Sequence, residues 1–111
     1  MKRRLNEAPK TNKRVQKTFI TAKNSNDDRA LTMQSVEELN SGNLEAAINK
    51  LNTAILINPH NGHAYSIRGE VKLKQGNLNS SLVDLNKAID LIPNNSFAYK
   101  IRCKVKYHLG D

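Results

Sequence analysis

Apolar residues recur between positions 44 and 57 at the spacing of an amphipathic helix. They follow the i, i+3, i+4, i+7 rule until a helix-breaking Asn58-Pro59 pair, at Leu44, Ala47, Ile48, Leu51, Ala54 and Ile55. The same pattern predicts further helices at about 28–40, 63–75, 78–91 and 96–109. The polar connections between them are short, so consecutive helices must be antiparallel neighbours. The sequence therefore predicts an all-α fold of five helices.

The ends of the first helix are marked by residue type. Asp27 and Asp28 precede it, and carboxylates are favourable at the positive N-terminus of a helix. Gly42 follows it and supplies the left-handed residue that ends many helices. We therefore place the first helix between these signals.

The chain nearly repeats itself at a period of thirty-four residues. Shifting it by that amount aligns Leu39-Asn40-Ser41-Gly42-Asn43-Leu44 with Leu73-Lys74-Gln75-Gly76-Asn77-Leu78, and Ala64-Tyr65-Ser66-Ile67-Arg68 with Ala98-Tyr99-Lys100-Ile101-Arg102. Small residues also recur at the twentieth and twenty-seventh places of each unit, at Ala47, Ser81, Ala54 and Ala88. Small side chains at these places let helices pack closely, so the repeated residues are interpreted as core.

This period, with a proline closing each unit, is typical of the tetratricopeptide repeat (TPR), a helix-turn-helix unit that buries its apolar face against its neighbours. We predict a helical solenoid of about two and a half repeats. The repeats lie at about 28–61 and 62–95, with a partial one at 96–111. A chain of this class is expected to be a binding scaffold.

The net charge of +8 is distributed unevenly. Residues 1–27 carry eight Lys or Arg against two acids, a balance of +6, whereas residues 28–111 carry ten against eight, a balance of +2. The first segment lacks apolar periodicity, and we expect it to be a disordered basic tail. A nearly neutral domain is thus attached to a basic leader.

Enzymatic chemistry has no visible basis in the sequence. There is no glycine-rich phosphate loop, no paired Cys and no His-x-x-x-His, so no catalytic site, metal site or cofactor is predicted. We interpret His60, His63 and His108 as surface histidines and Cys103 as a small packed residue. A lone cysteine and the absence of a long apolar run favour a cytoplasmic protein without a membrane span.

Helix A residues line the concave groove in this repeat architecture. The last helix carries a basic run in which Lys100 and Lys104 share one face, and a merely solvated helix is the alternative interpretation. From their places in the repeat, the candidate protein-binding residues are Ser66, Ile67, Glu70, Lys74, Lys100, Ile101 and Lys104.

From about Ser35 to Gly110, the chain resembles the repeat domain of the Hip co-chaperone family, which interacts with heat-shock protein 70 (Hsp70). The resemblance is carried by Glu38-Leu39-Asn40-Ser41-Gly42, Ala47-Ile48, Thr53-Ala54-Ile55, Ile57-Asn58-Pro59, Ala64-Tyr65-Ser66-Ile67-Arg68, Ala88-Ile89-Asp90, Pro93-Asn94-Asn95-Ser96, Tyr99-Lys100 and His108-Leu109-Gly110. It implies a non-catalytic adaptor that binds the nucleotide-binding lobe of Hsp70 through the concave surface. The dimerisation segment, third full repeat, charged helix and client-binding domain of that family have no counterpart here.

Another co-chaperone class, which resembles the Hsp-organising protein, grips the C-terminal carboxylates of chaperones with Lys, Asn and Arg. The matching places here lack every such donor, being Thr32, Val36, Ile67, Phe97 and Ile101. A tail-carboxylate receptor is therefore disfavoured. A generic TPR scaffold for an unrelated peptide or protein stays open as the alternative.

The basic tail has its own candidate roles. A solubilising leader is the favoured interpretation, and the alternatives are a nuclear address or a nucleic-acid contact through Lys2-Arg3-Arg4, Lys13-Arg14 and Lys17. Nucleic acid is disfavoured because Phe19 alone is available for stacking. With two full repeats and one uncovered end, the domain is expected to self-associate or to be stabilised by a partner.

Overall fold

The structure, a computed structural model, describes residues 27–110, and these form five α-helices of fourteen residues each. The helices are α1 Asp27–Asn40, α2 Leu44–Ile57, α3 Gly62–Gln75, α4 Leu78–Leu91 and α5 Ser96–Leu109. All five predicted helices are confirmed, and no predicted bound differs by more than one residue. The tail predicted over residues 1–27 lies outside the described residues except for Asp27, which begins α1.

The ends of the helices follow from local chemistry. Gly42, Gly76 and Gly110 have φ angles of +83°, +85° and +90°, a left-handed conformation that is costly for any residue with a Cβ. Asn61 and Asn95 immediately precede α3 and α5 and cap them, since each side-chain oxygen accepts a hydrogen bond from the backbone N–H three residues on. The predicted signals at Asp27 and Asp28 lie inside the first turn of α1.

The helices pack as antiparallel pairs, α1 with α2 and α3 with α4, and α5 packs against α3 and α4. The first, third and fifth helices also contact one another in sequence order, so they form one layer of the solenoid. The small residues predicted at the close approaches are all completely buried, at Ala47, Ala54, Ser81 and Ala88. Within residues 27–110, no helix is long and apolar enough to span a bilayer.

Two apolar clusters form the core, one for each repeat. Leu51 is completely buried at the centre of the first, with Leu39, Ala47, Ala54, Ala64 and Val71. Leu85 is completely buried in the second, with Ala88, Ala98, Ile101 and Val105. Each cluster contains residues of the next helix along the chain, so each repeat is completed by its neighbour, as a solenoid requires.

A buried carboxylate joins α3 to α4. Asp84 is only 3% exposed, and it accepts hydrogen bonds from Arg68 Nε and Nη2, both at 2.8 Å, while Lys72 Nζ lies 2.9 Å from it. The hydrogen bonds to Asp84 raise the pKa of Arg68 above its ordinary value, although partial burial opposes the shift. The α3–α4 pair is thus held by two cations on α3 and one anion on α4.

The α1–α2 pair uses the same two places with the charges reversed. Glu38 stands where α3 has Lys72, and Lys50 stands where α4 has Asp84. Their charged atoms are 3.0 Å apart, and Asn43 Nδ2 donates to the same carboxylate at 2.9 Å. The hydrogen bond from Asn43, and after it the ammonium of Lys50, lower the pKa of Glu38. The stability that ionised Glu38 contributes is therefore lost only as the pH falls through that lowered pKa.

The two turns between repeats differ in the polar groups that they bury. In the first, Asp28 Oδ2 accepts hydrogen bonds from Asn58 Nδ2 at 3.1 Å and Asn61 Nδ2 at 2.8 Å. Thirty-four residues later these places are Gly62, Ile92 and Asn95. No group in residues 27–110 accepts from Asn95 Nδ2, which is buried. The second turn therefore replaces a polar network with an apolar contact.

Gly62 is required by Ile92, because a Cβ on Gly62 would lie 2.8 Å from Ile92 Cδ1 and Cγ1. We expect Gly62→Asp to lower the free energy of unfolding by about 1–3 kcal/mol through overpacking. The double variant Gly62→Asp/Ile92→Asn should recover about 1 kcal/mol or more, because it rebuilds the network of the first turn around Asn95. Urea denaturation of the two single variants and the double variant measures this coupling, and additive effects would contradict it.

Candidate functional site

The exposed side of α5 next to α3 carries three basic or titratable side chains in one row. Lys100, Lys104 and His108 are four residues apart, which places them on the same face of the helix, and all three are exposed. They stand at the places that Ser66, Glu70 and Lys74 hold in α3. This row confirms that Lys100 and Lys104 share one face.

Lys74 faces this row across a hollow between the C-terminal ends of α3 and α5. The hollow has a volume of about 530 Å³, and Lys74 and Lys104 both line it together with Leu73, Gly76, Leu78 and His108. We call Lys74, Lys100, Lys104 and His108 the basic surface. Lysine side chains around an open apolar floor can meet an acidic partner at their ammonium groups and pack with their methylene stems.

The other end of the α3–α5 surface is more apolar. Ile67 and Phe97 are half-buried and line a second hollow of about 440 Å³ together with His63, Ser66, Ile92, Asn94, Asn95 and Ser96. Lys100 Nζ lies 5.7 Å from the centroid of the Phe97 ring, which connects this hollow to the basic surface. From the sequence, Phe97 is only a clamp place that lacks a donor for a ligand carboxylate. In the structure it also forms an apolar wall of this hollow.

Two of the predicted contact residues are core residues. Ser66 and Ile101 are each 1% exposed, and Ser66 Oγ donates to the carbonyl oxygen of His63 at 2.8 Å. Ile101 packs in the second cluster with Ala98 and Val105, which lie three residues before and four after it. That spacing was the available sequence signal for burial, so the structure removes both residues from the candidate surface. Glu70 is half-buried and stands on α3 at the place that Lys104 holds on α5.

The five places of a carboxylate clamp remain without cationic or amide donors. Thr32 is 8% exposed, and its hydroxyl donates to the Asp28 carbonyl oxygen at 2.7 Å and accepts from Asn61 Nδ2 at 3.2 Å. Ile101 is buried, and Val36, Ile67 and Phe97 are half-buried apolar residues. This surface therefore offers no side-chain donors at those places for a terminal carboxylate.

His60 and His63 line one hollow with Asp28, whereas His108 lies near the C-terminal end of α5. His60, His63 and His108 are exposed, as predicted, and residues 27–110 contain no group of three His, Cys, Asp or Glu that could hold a metal ion. The prediction that Cys103 is packed was wrong, since its side chain is exposed. Its counterpart Gly69 is covered by Leu85 of α4, whereas no helix in the described part of the chain covers this side of α5.

No protein-family model matches the chain, and neither does any curated protein. Solved structures do match its fold. The Arabidopsis OM64 TPR domain is 21% identical at a TM-score of 0.72, over 77% of this chain and 70% of that one. The first TPR of Spaghetti (RPAP3), bound to the HSP90 peptide SRMEEVD, is 22% identical at a TM-score of 0.73, over 79% and 70%.

A yeast structure gives the same result. The TPR2B domain of yeast Sti1, in its pHsp70 complex, is 21% identical at a TM-score of 0.73, over 77% of this chain and 68% of that one. At this level of identity the likeness concerns the fold. Together with the five helices and the thirty-four-residue period, it shows that residues 27–110 form an all-α tetratricopeptide-repeat solenoid.

Proposed function

We propose that this chain is a non-catalytic protein-interaction module that resembles Hip and binds an Hsp70-family chaperone through the layer of α1, α3 and α5. The observation that carries the proposal is the basic surface of Lys74, Lys100, Lys104 and His108 beside an apolar wall of Ile67 and Phe97. Such a combination suits a folded partner with an acidic, partly apolar patch. One solved TPR domain of this fold is bound to an HSP90 peptide and another is in a pHsp70 complex, which supports a chaperone as the partner.

The nucleotide-binding domain of Hsp70 is the proposed target rather than the chaperone's C-terminal tail. The clamp places hold buried or half-buried residues without cationic or amide side chains, so a pair of terminal carboxylates lacks the donors that it needs there. A folded domain can instead be recognised across a wider surface by rim cations and an apolar centre.

The direct test measures binding of the full chain to the purified Hsp70 nucleotide-binding domain, in ADP and in ATP, by isothermal titration calorimetry. Binding in at least one nucleotide state is expected. The peptide SRMEEVD serves as the competing ligand, and a preference for it over the domain would overturn the proposed target. If neither nucleotide state binds, the Hsp70 proposal fails and the generic TPR scaffold takes its place.

The basic surface can be tested by reversing its charges. We expect Lys74→Glu and Lys104→Glu each to weaken chaperone binding about tenfold, because an attractive rim cation becomes a repulsive anion. Lys87→Glu is the matched control, since it makes the same change of charge at an exposed place on α4, in the other layer. Equal losses for all three variants would show that net charge acts rather than this surface.

A further inference from the structure

The α3–α4 joint shows what the corresponding face of α5 is built to hold. In that joint, α4 inserts Asp84 between Arg68 and Lys72, and Leu85 packs on Gly69. Ser81 Oγ donates to the Gly69 carbonyl oxygen at 2.6 Å. The small residue, the carboxylate and the leucine of α4 thus contact two cations and a small residue of α3.

Helix α5 repeats the receiving half of this joint. Arg102, Cys103 and Lys106 stand thirty-four residues after Arg68, Gly69 and Lys72. Together with Tyr99 and Tyr107 they line a hollow of about 470 Å³ on the exposed side of α5. We call these five residues the end face. Among residues 27–110, no carboxylate pairs with Arg102 or Lys106.

The arginine of the end face is already held in the position that its interior counterpart adopts. Arg68 Nη1 donates to Asn52 Oδ1 on the preceding helix at 2.8 Å, and Arg102 Nη1 donates to Asn86 Oδ1 at the same distance. The guanidinium carbon lies 5.5 Å from the Tyr65 centroid in the first case and 5.1 Å from that of Tyr99 in the second. A preorganised side chain loses less entropy on binding.

The size of Cys103 is compatible with the same packing. In the first repeat this place is held by Ser35, and Leu51 of α2 is the counterpart of Leu85. Ser35 and Leu51 are both completely buried. A side chain of that size therefore leaves room for a leucine on the facing helix. The end face differs from α3 at Cys103 and Tyr107, and Arg102 keeps the contacts that Arg68 makes.

The positive charge of Arg102 and Lys106 determines which helix can bind the end face. A second α5 would bring Arg102 and Lys106 against their own copies, and the tail before Asp27 has eight basic residues and the single acid Glu7, so both repel this face. A helix like α2, with Lys50 at the facing place, would also be repelled. The cations require a carboxylate, as α4 provides to α3.

We propose that the end face binds a helix of a partner protein, with a carboxylate set between Arg102 and Lys106, an aliphatic residue next in sequence that packs on Cys103, and a small residue three positions before the carboxylate. The partner helix lies in the register that α4 adopts on α3. This surface borders the basic surface, since Cys103 and Tyr107 line one hollow with Lys100, Lys104 and His108. It extends beyond that hollow over the side of α5 formed by Tyr99, Arg102 and Lys106.

The first test uses a labelled peptide of the α4 sequence, LNSSLVDLNKAIDL, and the full chain. Fluorescence anisotropy should show binding that weakens about tenfold or more when the peptide's first aspartate is replaced by lysine. The variant Arg102→Glu/Lys106→Glu should reverse this preference. Equal affinity for the two peptides, or binding unchanged in the variant, would overturn the proposal. So would tighter binding of a peptide of residues 1–26 or of a second copy of the chain.

The second test does not depend on the helicity of a free peptide. The same fourteen residues are fused directly after Asp111, which stands where Asn77 precedes α4. The fusion should melt higher than its aspartate-to-lysine counterpart by about 5 °C or more, the shift that corresponds to a tenfold stronger contact. Arg102→Glu/Lys106→Glu should invert that order. Equal melting temperatures for both fusions would overturn the proposed register, whatever the peptide shows.

Discussion

Replacing Asp84 with alanine is expected to lower the free energy of unfolding by about 3 kcal/mol. The carboxylate is 3% exposed and accepts hydrogen bonds from Arg68, with Lys72 beside it, so its removal leaves two cations facing each other in a half-buried site. The value is at the low end for buried ion pairs, because both cationic side chains keep part of their surface in water. Urea denaturation followed by circular dichroism measures the change.

The matched control is Asp90→Ala, on the same helix but at an exposed place. It should change stability by no more than about 0.5 kcal/mol. Equal effects at the two positions would mean that the loss comes from the charge of α4 as a whole rather than from the joint.

A charge exchange separates the electrostatic part of this loss from the packing part. Asp84→Lys alone should destabilise more than alanine does, because three cations then meet. The triple variant Arg68→Gln/Lys72→Glu/Asp84→Lys places at this joint the residues of the first one, Gln34, Glu38 and Lys50, and should recover most of the stability. Failure to recover would show that the two joints are not interchangeable.

The helices were predictable because the signals for them are local. Apolar spacing, the glycines after α1, α3 and α5, and the asparagines before α3 and α5 depend on residues within one turn, and the structure uses each of them. The thirty-four-residue period then predicted how the helices pack, because small residues recur at the same helix contacts in each repeat. Ala54 and Ala88 illustrate this, since both are completely buried.

The surface was less predictable, because a place in a repeat does not determine exposure. Ser66 and Lys100 are equivalent by sequence, yet Ser66 is buried and Lys100 is exposed. Lys100 is long and charged, and it belongs to the terminal helix, so its exposure agrees with its chemistry. Cys103 shows the converse, since its place is buried in both earlier repeats and is exposed on α5, which no later helix within residues 27–110 covers.

The charged joints do not follow from the pattern of any single helix. Arg68 and Asp84 are sixteen residues apart, and Glu38 and Lys50 are twelve apart, so neither pair falls within one helix. The signal that could have found them is the exchange of sign between repeats at two places. Glu38 becomes Lys72 while Lys50 becomes Asp84, which keeps the pair attractive. That compensation is visible once the repeats are aligned.

The second large effect is expected at the centre of the first cluster, where Leu51→Ala should cost about 3–4 kcal/mol. Leu51 is completely buried, and three of its cluster neighbours are alanines, Ala47, Ala54 and Ala64, whose short side chains cannot move into the space it leaves. Leu51→Met keeps the volume and should cost less than about 1.5 kcal/mol. Leu56→Ala is the surface control, since Leu56 is 82% exposed on the same helix.

The location of the loss should follow the division of the core. Leu51 belongs to the first cluster and Leu85 to the second, and a solenoid transmits stability only between neighbouring repeats. Hydrogen exchange of Leu51→Ala should therefore show protection lost in α1 and α2 before α5, and Leu85→Ala should show the opposite order. A uniform loss in both variants would mean that the five helices unfold as one cooperative unit, in which case contacts between the repeats, such as that of Arg68 with Asn52, couple them more strongly than their separate clusters imply.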